Sequence, residues 1–295
     1  MASISIARIR APRAWSAERG VRTGLLLALP AVALIAAFLI VPLVKLVSIA
    51  LGDPHGFGNL HDFFANSANT RVIRTTFVDS AIVGVISVLV GSVVAWCLRT
   101  TRSPVMKGLL WSAILLPFLM GTVTKLYSLT VLLETHGLVN KVLTGIGLRS
   151  APLDLLYNQF AVVFGMTYQM LPYAVLPLLA GFASIDTNLV QAAEGLGASR
   201  LRALANTVVP LSAPSLVASF TVVYIISVGF FLTPVLLGGA TAPFTSSLIA
   251  QDIFEFYNVT SAAVSALVLL AGSLLVIGVT YLLVGRERLA RAVVS

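Results

Sequence analysis

Carboxylates set beside aromatic faces hold an ammonium group by ion pairing and cation-π attraction. Between Gly239 and Ser261 the chain carries Asp252 and Glu255 with Phe254, Phe256 and Tyr257, and no Lys or Arg. The same residues also read as an ordinary acidic loop or as a docking surface for another protein. Lys125, in Thr124-Lys125-Leu126-Tyr127, offers the opposite charge inside a long apolar run. An ionisable group at membrane depth is costly and so becomes a functional candidate, although a lysine near a span end also snorkels to the interface. A buried lysine repels a cationic substrate unless it is neutralised. Lys125, Tyr127, Phe230, Asp252 and Glu255 are therefore the candidate substrate path, with their structural readings kept beside the functional ones.

Covalent and metal chemistry find no support. The single cysteine, Cys97, has no intrachain partner and reads as a small apolar side chain. His55, His61 and His136 lack the helical His spacing or cysteine partners of a zinc site. The Gly238-Gly239 pair has no downstream lysine to meet a phosphate, so no nucleotide-cradling loop is expected and no cofactor is assigned to this chain.

Residues 191 to 210, from Gln191-Ala192-Ala193-Glu194 through Gly197 to Pro210, form a polar island of small residues between two membrane-length apolar runs. Asp186 suits the N-cap of a helix through about residue 196, and Gly197 can take the left-handed conformation that closes it. Ser199 can cap a second short helix ending near Pro210. The prediction is helix, tight glycine turn, helix. Ala192 and Ala193 remove bulk, so a partner backbone or the preceding span can approach. The bland alternative is an amphipathic connector with a glycine turn.

The elements that must position this island are membrane spans. The chain is 58% hydrophobic and 10% charged, against roughly 25% charged residues in a soluble domain. Six apolar runs are long enough to cross a bilayer: about 23 to 48, 76 to 98, 108 to 132, 159 to 183, 213 to 237 and 261 to 284. An uncleaved first helix is preferred to a signal peptide, because its run exceeds the usual h-region and its removal would leave five spans.

Lys and Arg collect in cytoplasmic loops. Arg8, Arg10, Arg13, Arg19, Arg22, Arg99, Arg102, Lys107, Arg200, Arg202, Arg286, Arg288 and Arg291 fall on one side, and only Arg71, Arg74, Lys141 and Arg149 on the other. Both termini and the island are thus expected in the cytoplasm, with tails over residues 1–22 and 285–295, a six-span domain over 23–284 and the island's loop over about 184–210. The formal charge of +8 is an orientation signal. It is scattered over separate loops, which argues against a nucleic-acid partner.

Ala192, Ala193, Gly197 and Pro210 fall at the second, third, seventh and twentieth places of a signature that this island resembles, the "EAA" loop of permease subunits of bacterial ATP-binding-cassette importers. Gln191 replaces the pattern's first glutamate and Gly195 its common acid, while Glu194 supplies a carboxylate nearby. Gly229-Phe230-Phe231-Leu232-Thr233-Pro234-Val235-Leu236-Leu237-Gly238-Gly239 and Leu171-Pro172-Tyr173 look like the polyamine and opine branch. The resemblance implies an all-α, polytopic inner-membrane permease of the type I importer fold. It further implies a coupling helix, built from Gln191, Ala192, Ala193, Glu194, Gly197 and Pro210, that lies in a cleft of the ATPase subunit. Its expected partners are two ATPase subunits carrying ATP and Mg, a second permease that is usually a different chain, an extracytoplasmic solute-binding protein, and membrane lipid.

Within the spans, Gly84, Ser87, Gly91 and Ala95 place small side chains on one face of span two, a close-packing face. Pro172, Pro177 and Pro234 are expected to interrupt spans four and five as kinks. The rival readings are an ion-coupled secondary carrier and a membrane enzyme. Neither accounts for the spacing from Ala192 to Pro210, and the second also lacks a nucleophile, metal cluster or acid-base pair.

Overall fold

The computed structural model describes residues 17–52, 56–186 and 188–284. The expected tails beyond these bounds, with Arg8, Arg10, Arg13, Arg286, Arg288 and Arg291, and the loop residue His55, lie outside the described residues. In chain order the helices are α1 (Ala17–Ala50), α2 (Gly58–Ala65), α3 (Ser67–Thr100), α4 (Pro104–Leu119), α5 (Thr122–Leu133), α6 (Leu138–Gly145), α7 (Gln159–Ala183) and α8 (Asn188–Gly195). There follow α9 (Arg200–Ala203), α10 (Val209–Leu211), α11 (Ala213–Val228), α12 (Thr245–Phe254) and α13 (Val259–Val284). The described residues contain no strand, as expected where backbone polar groups must be satisfied within each segment.

Among the described residues, four helices are long and apolar enough to cross a membrane unbroken: α1, α3, α7 and α13. Two more crossings arise only if each of two bent pairs is one span, α4 with the segment Thr122–Gly145, bent by 110°, and Leu204–Leu211 with α11, bent by 62°.

This corrects the expected third and fifth runs. The run 108 to 132 is not one helix: Met120 is extended, at φ −72° and ψ 141°, and α5 restarts at Thr122 after Gly121. The run 213 to 237 stops being α-helical at Val228. Thr233 and Pro234 then open a separate π-helical turn over Pro234–Gly238. The break falls at Gly229–Phe231, ahead of Pro234, whose ring leaves the Phe230 carbonyl without the amide partner a continuous helix would give it. Pro172 and Pro177, by contrast, do not break span four, since α7 runs through both.

The centre of the bundle is α3 packed on α7 and α11, with α13 alongside. The small face predicted for span two is the contact face: Gly84, Ser87, Gly91 and Ala95 are all buried. A methyl group added at Gly84 would sit 2.7 Å from the Phe220 ring of α11, and one at Gly91 would sit 3.1 Å from Ala174 of α7. Lipid tails are as apolar as the side chains, so helix association rests on such close approach.

Polar bonds tie α11 to α7 and α12 to α3. Ser219 Oγ donates to the Ala174 carbonyl at 3.0 Å, and Thr245 N–H donates to Thr76 Oγ1 at 2.9 Å. α1 stands apart from this core. It leans on α13, and none of its most apolar stretch is buried within the chain.

Candidate coupling site

The island folds as predicted up to and including its turn. Asp186 Oδ1 accepts the Asn188 amide at 2.9 Å at the start of α8. At the far end the Gly197 amide donates to the Glu194 carbonyl at 2.9 Å, and the Ala198 amide donates to the Ala193 carbonyl at 3.1 Å. These two bonds are a Schellman closure, which requires the intervening residue to be left-handed. That residue is Gly197, at φ +89°.

Helix spacing then sorts the side chains of α8. Val190 and Ala193, joined by Ala198 just past the turn, face a core of Leu98, Phe182, Ile185, Ala203 and Val208. Gln191, Ala192 and Glu194 face outward and are exposed. The second helix begins at Arg200, just after Ser199, whose carbonyl accepts the Ala203 amide at 2.8 Å. It is not a simple helix ending at Pro210. A π-helical turn over Leu204–Val208 leads into α10, where Pro210 sits, and Ser212 starts the bend into α11.

The sequence reading passed over two further residues. Leu196, between Gly195 and Gly197, is 91% exposed at the tip of the turn. Its signal was a large apolar residue set between two glycines in the turn. Arg99, at the end of α3, donates from its guanidinium to the Ile185 carbonyl and lies 5.7 Å from the Trp96 ring centroid, so it clamps α3 to the start of the loop. A cavity of about 620 Å³ opens beside the clamp. Trp96, Arg99, Arg102 and Lys107 line one side, and Val190, Gln191, Glu194 and Leu204 line the other.

The candidate substrate-path residues do not converge in this way. Lys125 is half-buried in the first turn of α5, just past the 110° bend, and Tyr127 is 68% exposed. Phe230 is half-buried in the stretch after α11, and its carbonyl accepts from Ser246 Oγ. Asp252 is buried on α12, where its Oδ2 accepts from Ser261 Oγ at 2.7 Å, joining α12 to α13. Glu255 follows α12 and is exposed, as are Phe254, Phe256 and Tyr257. Among the described residues no ion pair joins Lys125 to either carboxylate, and no cluster of His, Cys, Asp and Glu could hold a metal.

A family model described as "Binding-protein-dependent transport system inner membrane component" matches residues 23–289, which takes in every helix from α2 to α13 and the closed turn at Gly197. The chain belongs to this family. Its members are transport components, and the multi-pass bundle agrees with an inner-membrane setting.

Among curated relatives, the Spermidine/putrescine transport system permease protein PotB of Haemophilus influenzae is 28% identical over 193 residues, 65% of this chain and 67% of that one. PotB of Escherichia coli K12 is 31% identical over 163 residues, 55% of this chain and 59% of its own. The match thus spans little more than half of several PotB chains. The Molybdenum transport system permease protein ModB of Azotobacter vinelandii is 26% identical, covering 62% of this chain and 78% of its own. Among solved structures, a bacterial ABC transporter that imports alginate superposes with a TM-score of 0.76 at 19% identity, covering 92% of this chain and 98% of the other. The same type of transporter with an alginate pentasaccharide-bound periplasmic protein gives 0.78, covering 94% and 99%. At that identity these structures show the shared inner-membrane component fold.

Proposed function

We propose that this chain is the membrane-spanning permease subunit of an ATP-driven, binding-protein-dependent importer of polyamines or related small amino compounds. The observation that carries the reading is the closed turn at Gly197, which holds Gln191, Ala192, Glu194 and the exposed Leu196 outward on a short helix between two membrane-spanning segments. A rigid helix with an exposed apolar tip suits a groove in a partner protein. Val190 and Ala193 bind that helix to the ends of α3 and α7, so a displacement of the partner is carried into the bundle.

ATP and Mg belong to two partner ATPase subunits in this reading, and both termini and the loop face them from the cytoplasm. The placement of Arg99, Arg102 and Lys107 at the same end as the loop supports that orientation. A second permease, usually a different chain in the polyamine branch, completes the membrane unit. A solute-binding protein delivers substrate on the opposite side, as the alginate complex supports by analogy. Closure of the ATPases favours one orientation of the bundle and hydrolysis releases it, a population shift between two states.

Polyamines are proposed on the PotB relatives and on Glu255 with its aromatic neighbours, which leave an uncommitted carboxylate exposed. The test is ATP hydrolysis by the reconstituted complex with its binding protein loaded in turn with polyamines, opines and amino acids. Stimulation by a polyamine supports the reading. Stimulation by another class of solute keeps the importer and removes the substrate.

A further inference from the structure

The two bent crossings break at the same depth. Phe118, near the end of α4, packs edge to face on Tyr173 of α7, with ring centroids 5.6 Å apart. Past the end of α11, Thr233 Oγ1 accepts from Gln169 Nε2 of α7 at 2.8 Å. Gln169 and Tyr173 are one helical turn apart and flank Leu171, the middle residue of the 25-residue α7. At about 1.5 Å per residue α7 spans the whole hydrocarbon core of a bilayer, so its middle marks the midplane. The segments beyond the breaks also meet, since Leu126 and Leu129 of α5 share a core with Leu237.

Both breaks leave main chain unpaired. Among the described residues the amides of Thr122, Val123, Phe231 and Leu232 donate to no backbone carbonyl, and the carbonyls of Phe118 and Leu119 accept from no backbone amide. The chain does not cover these stretches either: Leu119 is 78% exposed and Phe231 40%, and Met120, Gly121, Gly229 and Leu232 are exposed with them. Lipid tails offer no hydrogen bond. Irregular backbone at this depth is tolerated only inside protein or along a water-filled cavity.

The residues after the first break decide for water. Thr122 and Thr124 are exposed, and Lys125 follows them in the first turn of α5. Among the described residues Lys125 makes no ion pair. An ionisable side chain at membrane depth faces a bundle interior or water. A dry contact would have to match the ammonium, the hydroxyls and the open amides one by one, whereas water serves them all.

Resting on the importer reading, we infer that the breaks at Leu119–Gly121 and Gly229–Leu232 form one wall of a water-filled solute passage, which a second permease closes from the other side. The wall is largely main chain. A solute crossing the midplane meets amides and carbonyls there, with Lys125 beside them.

The test uses the full importer in lipid vesicles, with single cysteines placed in a Cys97→Ser chain and a charged, membrane-impermeant maleimide added to both faces. Thr122→Cys and Leu232→Cys are expected to react faster than Leu275→Cys, which is exposed in the unbroken middle of α13. The expected ratio is on the order of 100-fold, the exclusion of a charged group from the hydrocarbon core. If either variant fails to assemble, Met120→Cys and Phe231→Cys read the same two breaks. A benzophenone attached to Leu119→Cys is expected to form a photo-adduct with the second permease. Labelling at both breaks as slow as at Leu275→Cys overturns the inference, whether lipid or dry protein is found there. Photo-adducts with lipid alone also overturn it. Fast labelling at the breaks in an assembly that shows no ATP-driven uptake would instead count against the importer reading and leave the passage standing.

Discussion

The amide of Ala198 donates to the carbonyl of Ala193 across the turn at Gly197, 3.1 Å away, and so the same two alanines that close α8 also seat it on the bundle. Helix termination and helix docking are one structural event here. In the reading proposed above, the surface offered to a partner is what that event leaves outside: Gln191, Ala192, Glu194 and Leu196.

Gly197→Val tests the turn. A side chain there would meet nothing within 4 Å, so its cost is conformational and not steric. A non-glycine residue in the left-handed region costs about 1–2 kcal/mol, more for a β-branched one. The expected result is an inserted, folded permease whose substrate-stimulated ATP hydrolysis falls by roughly 5- to 30-fold. Unchanged stimulation would show that the turn does not carry coupling.

Leu196→Asp tests the exposed tip. Burying a leucine side chain in a partner groove contributes about 1.5–3 kcal/mol. Co-purification of the ATPase subunits should therefore weaken while the thermal stability of the isolated permease stays unaltered, because Leu196 touches little of its own chain. A fall in permease stability with intact association would place Leu196 in folding instead.

Gly181 faces Ser215 where α7 and α11 cross beside the loop, and a methyl group added at Gly181 would lie 2.2 Å from Ser215 Cβ. Gly181→Ala is expected to lower stability by about 1–3 kcal/mol through overpacking. Ser215→Gly in the same chain should restore most of it, a coupling that a double-mutant cycle of melting curves measures. Additive effects of the two substitutions would mean that the helices do not cross this closely.

Asp252→Asn and Glu255→Gln should part company. Asp252 is committed to Ser261, so weakening a buried, charge-assisted bond lowers stability by about 1–3 kcal/mol with little change in apparent substrate affinity. Glu255→Gln leaves stability alone and raises the KM for a cationic solute severalfold. An equal rise in KM for both variants, without loss of stability from Asp252→Asn, would return Asp252 to the substrate path.

Much of this was legible in the residues. Length and hydropathy located α1, α3, α7 and α13, and the repeat from Gly84 to Ala95 marked the face of α3 that packs on α7 and α11. The position of Gly197 announced a left-handed turn because few other residues tolerate one. The 110° break at Met120-Gly121 was hidden, since both flanks are equally apolar and hydropathy measures composition, not direction. The interruption of span five was expected at Pro234, and only its position was hidden, since α11 already ends at Val228, before the proline. Asp252 looked like a free carboxylate because Ser261 is nine residues away, and only the turn from α12 into α13 brings the two together. The substrate path is illegible at both levels within one chain: Lys125, Phe230 and Glu255 sit on separate elements.

The most direct test of the central claim measures ATP hydrolysis and solute uptake together in vesicles holding this permease, its partner permease and the ATPase subunits, with and without polyamine-loaded binding protein. The account predicts that loaded binding protein stimulates hydrolysis, that uptake requires ATP, and that Gly197→Val removes the stimulation while sparing basal hydrolysis. Uptake by this chain alone, driven by an ion gradient with no ATPase present, would contradict it.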